Sequence, residues 1–287
     1  GLVDGRRDVR SLSATALNAF VAYQPGCLNG ARFPETNIVR LPEAPSISLE
    51  FGTLAHAMLE DVVKRVMGRQ GVGLAEVEAS FRARVERLDF PPEDVAKYVE
   101  RLDRVCRAFI PWLMEHAAQY RRIAEAQFCV ATRGGTPLSG YLDLLLVDDA
   151  SKTVRIVDYK TGFDEKIPDG YKRQLQFYKL MVERSPEFAG YTVKSMGDFY
   201  IEPDRKSNAM REPFAISASA EEICQLERLV DAVWHRIQQG QWDTSAFEQS
   251  ERYAEAVAER EHVRSKADKA SIMQRAYEQW LIENDDR

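Results

Sequence analysis

No stretch of this 287-residue chain approaches the roughly 20 consecutive apolar residues needed to cross a bilayer. The opening GLVDGRRDVRSLSATAL also lacks the apolar centre of a secretion signal, so the expectation is a cytoplasmic protein with no membrane partner. Cysteine is scarce: Cys27, Cys106, Cys129 and Cys224 lie far apart without a CxxC pair, which argues against a thiolate metal site and for isolated buried thiols. No GxxxxGK[ST] phosphate loop occurs, so the chain contains no ATPase motor. Repeats and low-complexity tracts are absent as well. Net positive charge is missing too: the formal charge of −6 excludes a uniformly phosphate-binding coat. A local basic groove within an acidic whole stays open.

The pattern along the chain predicts an α/β core framed by helices. A Ser/Thr-capped start at Ser11–Thr15 opens a helix to about Tyr23. Prolines at 25, 34, 42 and 45 mark an irregular excursion over 24–50. Helices are expected at about 51–69, 74–88 and 92–120. Short β-rich runs follow at 123–132, 137–147 and 153–159, separated by turn residues. A helix at 170–184, a strand at 191–201, a loop to about 216, and helical stretches at 219–239 and 247–283 complete the reading. This divides the chain into an N-terminal helical region (1–122), a core (123–216) and C-terminal helices packing on the core (217–287).

Two of these strands carry residues that do not belong in them. Tyr141-Leu142-Asp143-Leu144-Leu145-Leu146-Val147 and Val154-Arg155-Ile156-Val157-Asp158-Tyr159-Lys160 are near-continuous apolar runs, as in strands covered on both faces. An unpaired charge buried there costs on the order of several kcal/mol. Alternation puts Asp158 and Lys160 on one face and Tyr159 on the other. A turn centred near Ala150–Ser151 brings position 143 opposite 158. Two carboxylates placed side by side repel unless both bind one hard cation such as Mg²⁺ or Mn²⁺. The alternative is a surface hairpin with ordinary ion pairs.

Elsewhere, Leu54, Ala55, Met58, Leu59, Val62 and Val66 form a helical apolar stripe with His56 at its margin. From there an imidazole can reach the junction of helix and sheet, or simply serve as a structural histidine. Gly52, one turn earlier, permits close approach of a backbone or a ligand. Gln174 and Tyr178 share a helix face and offer an amide and a phenol for hydrogen bonding, or for packing.

These elements, in this order, resemble the PD-(D/E)XK nucleases of the RecB type. Gly52 to His56 is similar to that family's GxxxH motif, Gly140 to Asp143 to its GxxD strand, Asp158-Tyr159-Lys160 to its DYK strand, and Gln174 to Tyr178 to its QxxxY helix. Leu12 to Asn18, Gln174 to Glu183, and Val233-Trp234-His235-Arg236-Ile237 through Asp243-Thr244-Ser245 resemble the C-terminal nuclease module of UvrD/Rep-type helicases. The resemblance covers residues 11–247.

It implies a restriction-endonuclease-like core with a mixed central sheet flanked by helices, plus helical extensions at both ends. His56, Asp143 and Asp158, with the Tyr159 carbonyl, would hold Mg²⁺ or Mn²⁺, and Glu125 is a looser candidate for an outer ligand. Lys160 would position the attacking water and offset charge, while Gln174 and Tyr178 hold the strand. The implied activity is hydrolysis of DNA, as an exonuclease on single strands or duplex ends in repair or recombination, coupled to a helicase in the same or another chain. Arg121, Arg122, Lys172 and Arg173 could track the backbone, or each could equally be a solvated surface charge. Many relatives carry an iron–sulfur cluster, but Tyr23-Gln24-Pro25 stands at the early cysteine position and no cysteine follows Cys224, so no cluster is expected. The alternatives are a nuclease-like domain that binds DNA without cutting and a helical scaffold for protein partners.

Overall fold

A computed structural model describes residues 10–23, 33, 37, 46–68, 73–162, 167–204, 206–207, 209–241 and 243–285. Most of the proline-bearing excursion, together with Cys27, lies outside these residues. The described elements run α1 (Ala14–Val21), α2 (Ile47–Asp61), α3 (Leu74–Val85), α4 (Pro92–Arg104), α5 (Ile110–Ala117), β1 (Arg121–Ala131), β2 (Pro137–Asp148) and β3 (Thr153–Lys160). Next come α6 (Asp169–Arg184), β4 (Thr192–Tyr200), β5 (Phe214–Ile216), α7 (Ala220–Gln239), α8 (Ser245–Glu248), α9 (Glu251–Glu261) and α10 (Lys266–Glu283).

The strands form one mixed sheet in the order β1-β2-β3-β4-β5, with β3 and β4 parallel and the other neighbours antiparallel. A parallel pair needs a crossover, and α6 supplies it. Helices cover both faces, which is why β2 and β3 read as continuous apolar runs. On one face α1, α6, α7 and α10 close a core around Leu17, Phe20, Leu145, Ile156, Leu180 and Trp280. On the other, α2 to α5 close a second around Phe51, Met58, Phe109, Leu144, Val157 and Tyr159. Burying a side chain such as Phe51 or Leu144 contributes about 1.5–3 kcal/mol each.

The β2–β3 register matches the expected hairpin: Leu144 faces Val157 and Leu145 faces Ile156. Asp148 sets the turn locally, its Oδ1 accepting the Ala150 and Ser151 N–H groups at 3.0 and 3.1 Å.

Some boundaries differ from the sequence reading. α2 begins at Ile47, one turn before Phe51, and ends in a π-helical stretch, Val62–Met67. The helix expected over 92–120 contains a π-helical stretch at Val105–Phe109, just before Pro111, which has no N–H to continue the ladder. The loop before 216 ends in β5. The stretch 247–283 splits because Ser265 caps a new helix, its hydroxyl accepting the Asp268 N–H. Of the described cysteines only Cys106 is buried; Cys129 and Cys224 point outward from β1 and α7.

Candidate active site

The β1–β2 ladder pairs every residue of β1 from Arg121 to Ala131 except Glu125, which falls opposite Asp143. At that gap both strands change face. Ile123 and Ala126 both lie on the α6 side although three residues apart, while Ala124 lies on the α2 side. On β2, Leu142 and Leu145 face α6 while Leu144 faces α2. Strict alternation allows neither pattern. One residue in each strand is therefore inserted without a net register shift, a paired irregularity akin to opposed bulges. Glu125 takes the left-handed conformation at φ 49°, which a non-glycine residue adopts only under constraint. This re-aims Asp143 and Glu125.

Next to this gap β2 and β3 part. Their ladder ends at Leu144–Val157 although β3 continues to Lys160. The Asp143 carboxylate bridges the opening: its Oδ2 accepts the Tyr159 N–H at 2.7 Å, in place of a backbone carbonyl. Its Oδ1 lies 3.2 Å from His56 Nδ1 on α2. The His56 ring stands edge-on to the Tyr159 ring, centroids 6.0 Å apart.

From the opposite face, α6 brings up Gln174 and Tyr178. Gln174 Nε2 donates to the Tyr178 hydroxyl at 2.6 Å and reaches Asp158 Oδ1 at 3.4 Å, while Lys160 Nζ donates to Gln174 Oε1 at 3.3 Å. Lys160 forms an ion pair with Asp158 Oδ2, but outside hydrogen-bond geometry, so that buried oxygen has no hydrogen bond among the described residues. The Lys160 ammonium also lies 4.2 Å from the centre of the Tyr171 ring. His56, Asp143, Asp158, Lys160, Gln174 and Tyr178 thus converge where β2 and β3 fork.

The electrostatics are those of a site with surplus negative charge. Burial, then the charge of Asp143, pushes the Asp158 carboxyl up to about 7 even with Lys160 beside it. Burial likewise raises Glu125, with Asp143 and Glu60 adding to it. For His56 burial favours the neutral ring, but the hydrogen bond and charge of Asp143 outweigh it and raise the imidazole. For Lys160 burial is outweighed by Asp158, with Asp198 adding, so it stays an ammonium at neutral pH. Burial, then the charge of Asp158, raises the Tyr178 phenol.

Hard oxygen and imidazole donors around surplus negative charge suit Mg²⁺ or Mn²⁺. Among the described residues, however, no three such side chains are arranged around one point. His56 is turned onto Asp143, and Lys160 lies against Asp158. A cation at Asp158 therefore has to displace the ammonium.

Several expectations need correction. Among the described residues a Cβ on Gly52 would meet only Thr161 Oγ1, at 3.6 Å, so no other backbone approaches closely enough to require glycine there. All four basic residues have partners within the protein, though Arg121 and Lys172 hold theirs in half-exposed surface pairs. Arg121 pairs with Asp149, Arg122 donates to the Ala117 and Met67 carbonyls, Lys172 pairs with Glu222, and Arg173 is buried against Asn18 and Glu278. A groove between α6, α7 and α10, with Lys172, Glu222 and Glu278 in its wall, includes none of the site residues.

Sequence reasoning missed Asp198. It is fully buried on β4, directly beside Asp158 in the parallel ladder. Its signal was an acid in the apolar run Met196–Tyr200, the same anomaly that marked Asp143 and Asp158.

The sequence family described as the PD-(D/E)XK nuclease superfamily matches residues 11–275. No curated protein matches the chain. Among solved structures, one from Eubacterium rectale described as a "Putative exonuclease" superposes with a TM-score of 0.49 at 11% identity, covering 89% of this chain and 90% of that one.

Proposed function

Because the chain belongs to the PD-(D/E)XK nuclease superfamily, we propose that it is a Mg²⁺- or Mn²⁺-dependent deoxyribonuclease of the RecB type, acting as an exonuclease on single strands or duplex ends. The observation that carries this reading is the meeting of α2, β2, β3 and α6 at the fork. There Asp143 and Asp158 supply more negative charge than Lys160 neutralises.

His56, Asp143 and Asp158, with the Tyr159 carbonyl, would hold the cation, and Glu125 stands within electrostatic reach. When bound, such a cation acidifies a water and stabilises charge on a phosphate. The protein's own groups do the rest. Lys160, held as an ammonium, cannot accept a proton, so it acts as a hydrogen-bond donor and counter-charge to the phosphoryl oxygens as the water oxygen bonds to phosphorus and the ester P–O bond breaks. Gln174 ties Lys160, Asp158 and Tyr178 into one network, and so sets where that ammonium points. The raised phenol of Tyr178 keeps its proton and serves as a donor or an apolar wall.

Coupling to a UvrD/Rep-type helicase motor, in the same or another chain, in DNA repair or recombination is proposed on the motif resemblance, as is the lack of an iron–sulfur cluster. The test is incubation of the purified chain with linear and circular DNA, single- and double-stranded, in Mg²⁺, Mn²⁺ or EDTA. Metal-dependent loss of linear DNA, abolished in Asp158→Asn and slowed by orders of magnitude but still measurable in Lys160→Ala, is expected. A folded chain that cleaves nothing with either metal would refute the nuclease reading, and cleavage of circles would refute exonuclease action.

A further inference from the structure

Lys160 and a divalent cation compete for the same carboxylate. The ammonium rests on Asp158 Oδ2, and its other neighbours, Gln174 Oε1 at 3.3 Å and the Tyr171 ring at 4.2 Å, carry no charge. Once a cation is held by Asp143 and Asp158, its charge cancels theirs, and the ammonium loses its counter-charge, which neutral contacts do not replace.

The parallel β3–β4 ladder places a second carboxylate within its range. Asp158 is paired with Asp198 and Lys160 with Tyr200. Paired residues in a parallel ladder project to the same face, as their neighbours demonstrate. Ile156 and Met196 both enter the core under α6, whereas Tyr159 and Phe199 both turn toward α2. Asp198 therefore lies on the same face as Asp158 and Lys160, diagonal to the lysine. Such diagonal Cβ atoms are roughly 7–8 Å apart, a gap a lysine side chain spans. Asp198 is fully buried, so solvent screens its charge little. Among described residues, Asp158 and then Asp198 are the carboxylates acting most strongly on Lys160.

We propose that Asp198 is a positioning residue: its buried charge holds the Lys160 ammonium inside the site when a divalent cation takes Asp158. Asp198 touches neither metal nor substrate in this scheme, and acts through Lys160. The inference rests on the nuclease reading above.

The test is a double-mutant cycle with Asp198→Asn, Lys160→Ala and the double variant, measuring kcat and KM on linear DNA at saturating Mn²⁺. Calorimetric titration of Mn²⁺ without DNA supplies a readout independent of turnover. Asp198→Asn should lower kcat by about 10- to 100-fold with KM little changed, and should cost nothing further in the Lys160→Ala background. Its Mn²⁺ affinity should fall by about tenfold, because an ammonium no longer held by Asp198 competes more strongly for Asp158. A purely structural aspartate would instead lower kcat by the same factor in both backgrounds, and that result overturns the proposal. Wild-type kcat and Mn²⁺ affinity in Asp198→Asn overturn it as well. Should Asp198→Asn not fold, Asp198→Ser carries the same comparison. A folded wild type that degrades nothing refutes the nuclease reading, whereas an active wild type beside an unaffected Asp198→Asn refutes this inference alone.

Discussion

Raising the pH should weaken the metal-free protein, and a divalent cation should reverse the effect. Asp158 titrates at about 7 when folded, against 3.8 as its ordinary value. The folded state therefore holds more protons between those two values. Its stabilising contribution is complete below about pH 4 and is lost as the pH rises through 7. Between pH 6 and pH 8 the linkage relation gives a loss of about 1.4 kcal/mol from this carboxyl alone. His56 acts in the same direction, because its folded pKa is also raised and its contribution fades as the ring deprotonates. Glu202 and Glu227 are lowered by their arginine partners, so they lose stability only at more acidic pH, outside the window.

A cation must displace these protons, so its affinity should increase with pH, by up to tenfold per unit for each proton released. At a hundredfold excess over Kd the bound cation adds about 2.7 kcal/mol. The assay is urea unfolding followed by circular dichroism at pH 6, 7 and 8, in EDTA and in Mn²⁺, for the wild type and Asp158→Asn. In EDTA the wild type should lose stability across this range while Asp158→Asn loses about 1.4 kcal/mol less. Parallel curves for the two proteins, or Mn²⁺ affinity independent of pH, would show that Asp158 does not titrate there, and the charge argument for the site would fall with it.

Three further outcomes are expected. Gly52→Ala should raise stability by roughly 0.5–1 kcal/mol in thermal melts, because α2 has room for the methyl group beside Thr161; a lower melting temperature would show that glycine is needed. Tyr159→Phe should stabilise the protein by about 1 kcal/mol and leave cleavage intact, since the buried hydroxyl has no hydrogen-bond partner among the described residues and the backbone carbonyl is retained. Loss of stability in that variant would mean the hydroxyl is satisfied. Asp231→Ala should cost about 3 kcal/mol in denaturant titration without changing Mn²⁺ affinity, because the Thr132 and Thr136 hydroxyls of the β1–β2 turn both donate to its Oδ1 at 2.6 Å. Unchanged stability would remove Asp231 as the clamp on that turn.

What the sequence determined by itself is what short-range physics controls. The Asp148 turn sets the β2–β3 register within a few residues, and that register brings Asp143 and Asp158 to the same end of the hairpin, although the ladder stops one pair short of them. The apolar stripe of α2 and the four-residue spacing of Gln174 and Tyr178 are helical periodicities, legible without knowing the partners they pack against. Long-range features needed the tertiary structure. Strand order is decided by the crossover through α6 and by pairing between distant segments, so nothing local places Asp198 beside Asp158. The paired irregularity at Glu125 and Asp143 leaves the residue count unchanged, and a pattern read along one strand does not expose it. Arg122 and Arg173 look like free surface charge until α5, α1 and α10 bring carbonyls and acids to them. Acids in apolar strands announce a site from sequence alone, because burying them is costly. Which groups share that charge depends on distances between strands and helices that only the folded chain sets.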